Sequence, residues 1–150
     1  MDKIGMKTRI FNAAKTAVED TAANLRAAME EAQHAANEYG PPKDRYDSFR
    51  TQLLRKRDMY AQQLASTTEQ INLLDRINPD MVSGKVEFGA VVITETQKIF
   101  VSTGLGRIQI DGDTFFAISP AVPIYKAMEG KKAGDTFSFN NNTIKILDVF

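Results

Sequence analysis

The sequence contains no cysteine and one histidine, and its 19 basic and 19 acidic residues give a formal net charge of zero. The missing thiols exclude disulfide frameworks, zinc–thiolate sites and cysteine nucleophiles together, and they fit a reducing compartment. The single histidine, His34, lies in a polar stretch of a helical pattern and has no second imidazole to share a metal with. A zero net charge argues against bulk electrostatic binding of nucleic acid and leaves local patches as the route to a polyanion. No apolar run approaches the ~20 residues of a membrane-spanning helix. The opening MDKIGMKTRIF lacks the apolar segment of a secretory signal. A soluble cytoplasmic protein is expected. Enzyme signatures are missing as well. GLGRIQ runs into a strand pattern where a dinucleotide site needs a helix, so it reads as a hairpin turn. EGKKAGD has no upstream glycine at phosphate-loop spacing and also reads as a turn. No serine occupies a nucleophile elbow. The chain carries no self-contained active site.

What is present divides into two halves. The 150 residues, 43% apolar, allow one large or two small domains. Composition changes near Asn78-Pro79, from Ala, Glu, Gln, Lys and Arg to alternating β-branched and aromatic residues with glycine turns. The expected division is 1–78 and 79–150. In the first half Ile10, Ala14, Ala17, Thr21, Leu25, Ala28, Ala32 and Ala35 recur at helical steps, and so do Tyr46, Phe49, Leu53, Tyr60, Leu64, Thr67, Ile71 and Leu74. Only Tyr39 to Lys43 separates the two stripes, so the helices must fold back antiparallel. Pairing outward from the turn sets Ala36 near Phe49, Ala32 near Leu53, Leu25 near Tyr60 and Ile10 near Leu74, small residues against large. Each arm of roughly 33 residues spans ~50 Å at ~1.5 Å per residue. The second stripe has a gap, since Lys56 or Arg57 falls where an apolar residue is due. The basic run Arg55, Lys56, Arg57 reads either as snorkelling stems on a solvated face or as a contact for a polyanion or an acidic partner.

The second half offers six strand candidates, KVEFGAVVIT, KIFVST, RIQI, TFFAIS, DTFSFN and TIKILDV, with tight turns at GLG, DGD and NNN. PIYKAMEG reads as one short helix ended by Gly130. The expected fold is α+β: an antiparallel coiled-coil hairpin, then a small antiparallel sheet with a helix across it.

The turn of the hairpin, YGPPKDRYDS, holds Asp44 and Asp47. One reading is structural. An aspartate at the N-cap with an acid at N3 is a capping-box pattern worth ~1–2 kcal/mol. The other is chemical. Two carboxylates at i and i+3 share a helix face and are hard oxygen ligands suited to Mg²⁺. Alone they hold the ion weakly; inserted into another protein's acidic site they complete a two-metal centre.

A long antiparallel hairpin with paired acids at its turn, followed by a small sheet domain, resembles the bacterial Gre transcript-cleavage factors. GKVEFGAVVIT resembles the strand that opens their C-terminal domain, and ISPAVPIYKAMEGKKAGDTFSFNNNTIKILDV resembles its end. The likeness covers roughly residues 5–150 and is nearest to the shorter Gre-like proteins, whose turn reads approximately Asp-Lys-Tyr-Glu where this chain has DRYD. The resemblance implies an FKBP-like C-terminal domain that docks at the rim of the RNA polymerase secondary channel, with Ser119, Pro120, Val122, Pro123 and Ile124 in the docking loop. It implies a hairpin that enters the channel, where Asp44 and Asp47 help the polymerase hold its second Mg²⁺ and a hydrolytic water. The polymerase then cuts the 3′ end of backtracked RNA. The factor is an accessory without a cofactor of its own. Charge and placement add Arg45, Arg50 and Arg55 as contacts for RNA phosphates or the channel wall. Asp47 stands where Gre factors carry Glu, and Val122 stands where they usually carry Ser. Three alternatives remain from the sequence: a channel occupant that inhibits or competes without stimulating cleavage; an FKBP-like prolyl isomerase or chaperone, although Phe88, Phe100, Phe115, Phe116, Phe137 and Phe139 read mostly as core; and a structural hairpin adaptor with an ordinary capped turn. A monomer is expected, because the hairpin uses its own apolar seam.

Overall fold

In a computed structural model, residues 2–41 and 48–150 are described. Helix α1 runs over Lys3–Tyr39 and α2 over Ser48–Leu74. Six strands follow, β1 (Val91–Thr94), β2 (Lys98–Val101), β3 (Gly106–Ile110), β4 (Asp113–Ile118), β5 (Thr136–Phe139) and β6 (Asn142–Val149), with the short helix α3 (Pro123–Met128) between β4 and β5. The α+β class read from the sequence is the class observed. Two compact units are present, one formed by the N-terminal residues up to Thr16 together with Asn72–Phe150, the other by Ala17–Ile71.

Within the Ala17–Ile71 unit the helices run antiparallel. Tyr39 and Phe49 meet with ring centroids 5.0 Å apart and planes tilted by 56°, and Arg57 on α2 donates to Gln33 on α1. Ala28, Ala32 and Ala35 line one hollow with Leu53, Lys56 and Tyr60, while Thr21 and Leu25 line another with Met59, Gln63 and Thr67. Of the expected pairs, Ala32 and Leu53 line one hollow together. The gap in the stripe is filled by Arg57, which reaches across to Gln33 and also binds Asp58, whereas Lys56 is exposed. The buried stripe of α1 departs from the expected one in its middle. Ala17 and Thr21 are exposed, and Val18 and Ala22 are buried in their place. Steps of four from Ile10 through Ala14 reach Val18, and its larger apolar side chain claims the inner face over Ala17.

In the other unit the sheet order is β3-β4-β2-β1-β6-β5. Strands β1/β2, β1/β6, β3/β4 and β5/β6 pair antiparallel. Strands β2 and β4 pair parallel, Phe100 opposite Ala117, so the sheet is mixed where an antiparallel one was expected. The GLG stretch is therefore no hairpin turn: β4 lies between the strands that GLG connects. A local turn signal marks a change of direction and does not name the neighbour. Two hairpins close through left-handed backbone, Asp111-Gly112 (φ 50° and 83°) between β3 and β4, and Asn140-Asn141 (φ 51° and 64°) between β5 and β6. Both are two-residue turns of the primed kind that the right-handed twist of strands favours. The first strand is also shorter than its apolar run. Gly89 turns at φ 92°, and Val86 instead exchanges backbone hydrogen bonds with Gly130 and Lys131 after α3.

Side chains alternate across the sheet. Val92, Ile99, Val101, Ile144 and Ile146 form one core with Tyr125 and Met128 of α3 and with Phe137. Val91 and Phe100, of opposite parity, are fully buried, as are Phe150 after β6 and Ile10 and Leu74 at the start of α1 and the end of α2. Lys3 on α1 lies over the Phe150 ring, 6.0 Å from its centroid, and binds Asp148 at 3.0 Å. Further links come from Lys15 to Asp75 (2.9 Å) and Arg9 to Asp111 (2.6 Å). Exposed pairs of this type contribute ~0–1 kcal/mol each; the apolar contacts decide the packing.

Candidate functional site

Asp44, Arg45 and Asp47 lie in the segment that joins α1 to α2, outside the described residues. Whether Asp44 caps α2 falls outside them too, since α2 is described from Ser48. The approach to that segment is described. α1 ends at Tyr39, with the Gly40 amide donating back to the carbonyls of Ala36 and Asn37 (both 3.2 Å). Across from it Phe49 is 54% exposed despite its ring contact with Tyr39. One residue further, Arg50 is half-buried, and its Nε is enclosed with no hydrogen-bond partner among the described residues. Arg55 and Lys56 are exposed. The basic residues along α2 are therefore not equivalent: Arg57 is bound into the helix pair, while Arg55 and Lys56 project from it.

The second predicted patch is the loop before α3. Ser119 is half-buried; its Oγ accepts from the Ala121 amide at 3.2 Å, and its carbonyl accepts from the Val122 amide at 3.4 Å. Val122 is the N-cap of α3 in an extended conformation (φ −78°, ψ 150°) without a side-chain cap. Pro123 follows at the first helical position, where its missing N–H costs nothing and its fixed φ suits the helix. Val122 and Ile124 lean against the sheet core, and Pro123 is exposed. The loop thus presents Ala121 and Pro123 outward and anchors itself through its aliphatic residues.

His34 is exposed on α1 and pairs with Glu38 at 3.1 Å. Among the described residues no group of three or more His, Cys, Asp or Glu is placed to hold a metal, and no helix is long and apolar enough to cross a membrane. The EGKKAGD stretch is the expected turn: Asp135 accepts from the Lys132 amide at 2.8 Å, and its own amide donates to the Lys132 carbonyl at 3.0 Å. Phe100, Phe115 and Phe137 are buried in packing, while Phe88, Phe116 and Phe139 are half-buried.

One residue escaped the sequence reading. Lys7 on α1 is 2% exposed, and its Nζ donates to the Met81 carbonyl at 2.7 Å. Burial lowers its pKa from the ordinary lysine value, partly countered by the charge of Glu87. Only its place one turn before the apolar Ile10 and Phe11 hinted at burial.

No family model and no curated protein matches the chain. Among solved structures it is similar to GreA factor homolog 1 (Gfh1) of Thermus thermophilus, with 18% identity, 92% of this chain and 95% of that chain covered, and a TM-score of 0.34. It is also similar to a structure described as the transcription factor Gfh1, with 18% identity, 91% and 93% coverage and a TM-score of 0.34.

Proposed function

We propose that the chain is an accessory factor of bacterial RNA polymerase that works by placing the α1–α2 turn in the enzyme's secondary channel. The observation that carries this reading is the joining, in one chain, of a helical hairpin with two acids in its connecting segment to a small sheet domain whose Ser-Pro loop presents Ala121 and Pro123 outward. A hairpin is a poor scaffold for an active site of its own but a good one for delivering carboxylates into another protein's site. Asp44 and Asp47 are hard oxygen donors that suit a Mg²⁺ ion already partly held by polymerase carboxylates. In that setting they position the ion and a water for attack on the RNA 3′ end, and the polymerase supplies the remaining ligands. The exposed Arg55 and the unmet donor of Arg50 support a role in contacting RNA phosphate or the channel wall. The sheet domain docks through Ser119–Ile124.

A second reading, occupancy of the channel without cleavage, is favoured by one feature. Asp47 is one methylene shorter than the glutamate of the Gre turn, a loss of ~1.5 Å in reach. Octahedral Mg²⁺ tolerates little displacement of its ligands. Core RNA polymerase titrated against the labelled chain, followed by RNA 3′-end analysis of a stalled, backtracked complex, separates the readings. Binding with faster cleavage supports the first, and binding with unchanged or slower cleavage supports the second. Absence of binding overturns both.

A further inference from the structure

A cavity of about 190 Å³ opens in the sheet-bearing unit, lined by Lys7, Arg76, Asn78, Ser83, Glu87 and Phe88 among others. Its chemistry is unusual for a surface hollow. The Lys7 side chain is enclosed, yet it makes one hydrogen bond, to Met81 O, and no ion pair among the described residues. An ammonium carries three N–H donors, so two are left without a protein acceptor. Glu87 acts on Lys7 through its charge but forms no salt bridge with it, and Arg76 is exposed at the same hollow without an ion pair among the described residues. A buried ammonium with unmet donors is a costly arrangement that a bound acceptor relieves. Ile77, Met81 and Phe88 supply apolar wall, while Asn78 and Ser83 supply further polar groups.

The geometry points to a binding site for a small monocarboxylate in this cavity, its carboxylate on Lys7 and Arg76 and its short apolar part against Ile77 and Phe88. Two lining cations against the one carboxylate of Glu87 leave a single positive charge to neutralise, which suits a monoanion better than a phosphate dianion. The site lies in a different unit from the turn acids and does not depend on polymerase binding.

The test is an amide NMR titration of the intact chain with butyrate, using butyramide as the uncharged isostere and inorganic phosphate as the competing anion. Butyrate is expected to shift Lys7, Met81, Ser83 and Gly89 in a saturable manner, butyramide to shift none of them, and phosphate to bind more weakly. Lys7→Met is expected to weaken butyrate by roughly tenfold or more, as loss of a charged hydrogen bond does. Arg76→Gln, at an exposed position that leaves packing intact, is expected to weaken it severalfold, and it keeps the test decisive if Lys7→Met fails to fold. Equal shifts from butyramide, tighter binding of phosphate, unchanged affinity in Arg76→Gln, or the lack of any saturable shift overturns the proposal.

Discussion

Replacing Gly112 by alanine isolates the turn that closes the β3–β4 hairpin. Gly112 sits at φ 83° in the β3–β4 hairpin, and a Cβ built there meets nothing within 4 Å. The substitution therefore creates no clash, and its whole cost is that of forcing an L side chain into left-handed backbone, about 1–2 kcal/mol. For a chain of this size each kcal/mol moves the melting temperature by about 2–4 °C. Gly84→Ala is the matched control: its surroundings are equally open and its backbone is not left-handed. There the alanine reduces the freedom of the unfolded chain and is expected to be neutral or to stabilise by ~0.4–1 kcal/mol. Scanning calorimetry of the two variants beside the wild type should separate them by at least about 1 kcal/mol, with Gly112→Ala lower. If both melt together, the Asp111-Gly112 turn is not left-handed, and the register Ile110 opposite Asp113 that pairs β3 with β4 loses its anchor.

Other consequences can be measured in the same preparations. Phe100→Ala empties a fully buried site on the sheet and should cost about 3–5 kcal/mol in urea unfolding; a cost below 1 kcal/mol would place Phe100 outside the core. A double-mutant cycle of Gln33→Ala with Arg57→Ala should return a coupling of about 0.5–1.5 kcal/mol, the value of one cross-helix hydrogen bond, and zero coupling would return Arg57 to the solvent. Because burial lowers the Lys7 pKa in the folded chain, the unfolded chain holds the proton more tightly. Stability should then rise with pH from that lowered value towards the ordinary 10.5 and fall as pH drops back through it. Glu87 and Arg76 face the same group, so the alkaline slope should be read as the difference between wild type and Lys7→Met, in which it should disappear.

How much of this was legible in the chain varies with the physics involved. Helix and strand periods are local, so α1, α2, α3 and all six strands each overlap the pattern expected for them. The α1 stripe was misjudged by one residue at Ala17 and Thr21 because small residues crowd that segment, and only packing decided for Val18 and Ala22. The placement of β4 between β2 and β3 depends on long-range pairing that no turn motif encodes. The extended run into β1 was cut at Gly89 by a backbone angle that alternation does not report. Lys7 was invisible for a similar reason: a lysine on a helix reads as solvated, and its burial against Met81 is made by a segment more than seventy residues away. At the hairpin turn, the spacing of Asp44 and Asp47 was equally consistent with a cap and with metal delivery. The weight on delivery came from the resemblance of the whole chain, and the described residues around the turn, Phe49 and Arg50 above all, are compatible with either.

The most direct measurement is therefore RNA 3′-end release from a stalled, backtracked RNA polymerase complex, with the wild-type chain and with Asp44→Ala/Asp47→Ala at equal occupancy of the polymerase. The account predicts that wild type binds and accelerates release, and that the double variant binds as well and loses the acceleration. A double variant that cleaves like wild type but melts lower would make the two acids a helix cap, and a wild-type chain that leaves polymerase untouched would contradict the account at its root.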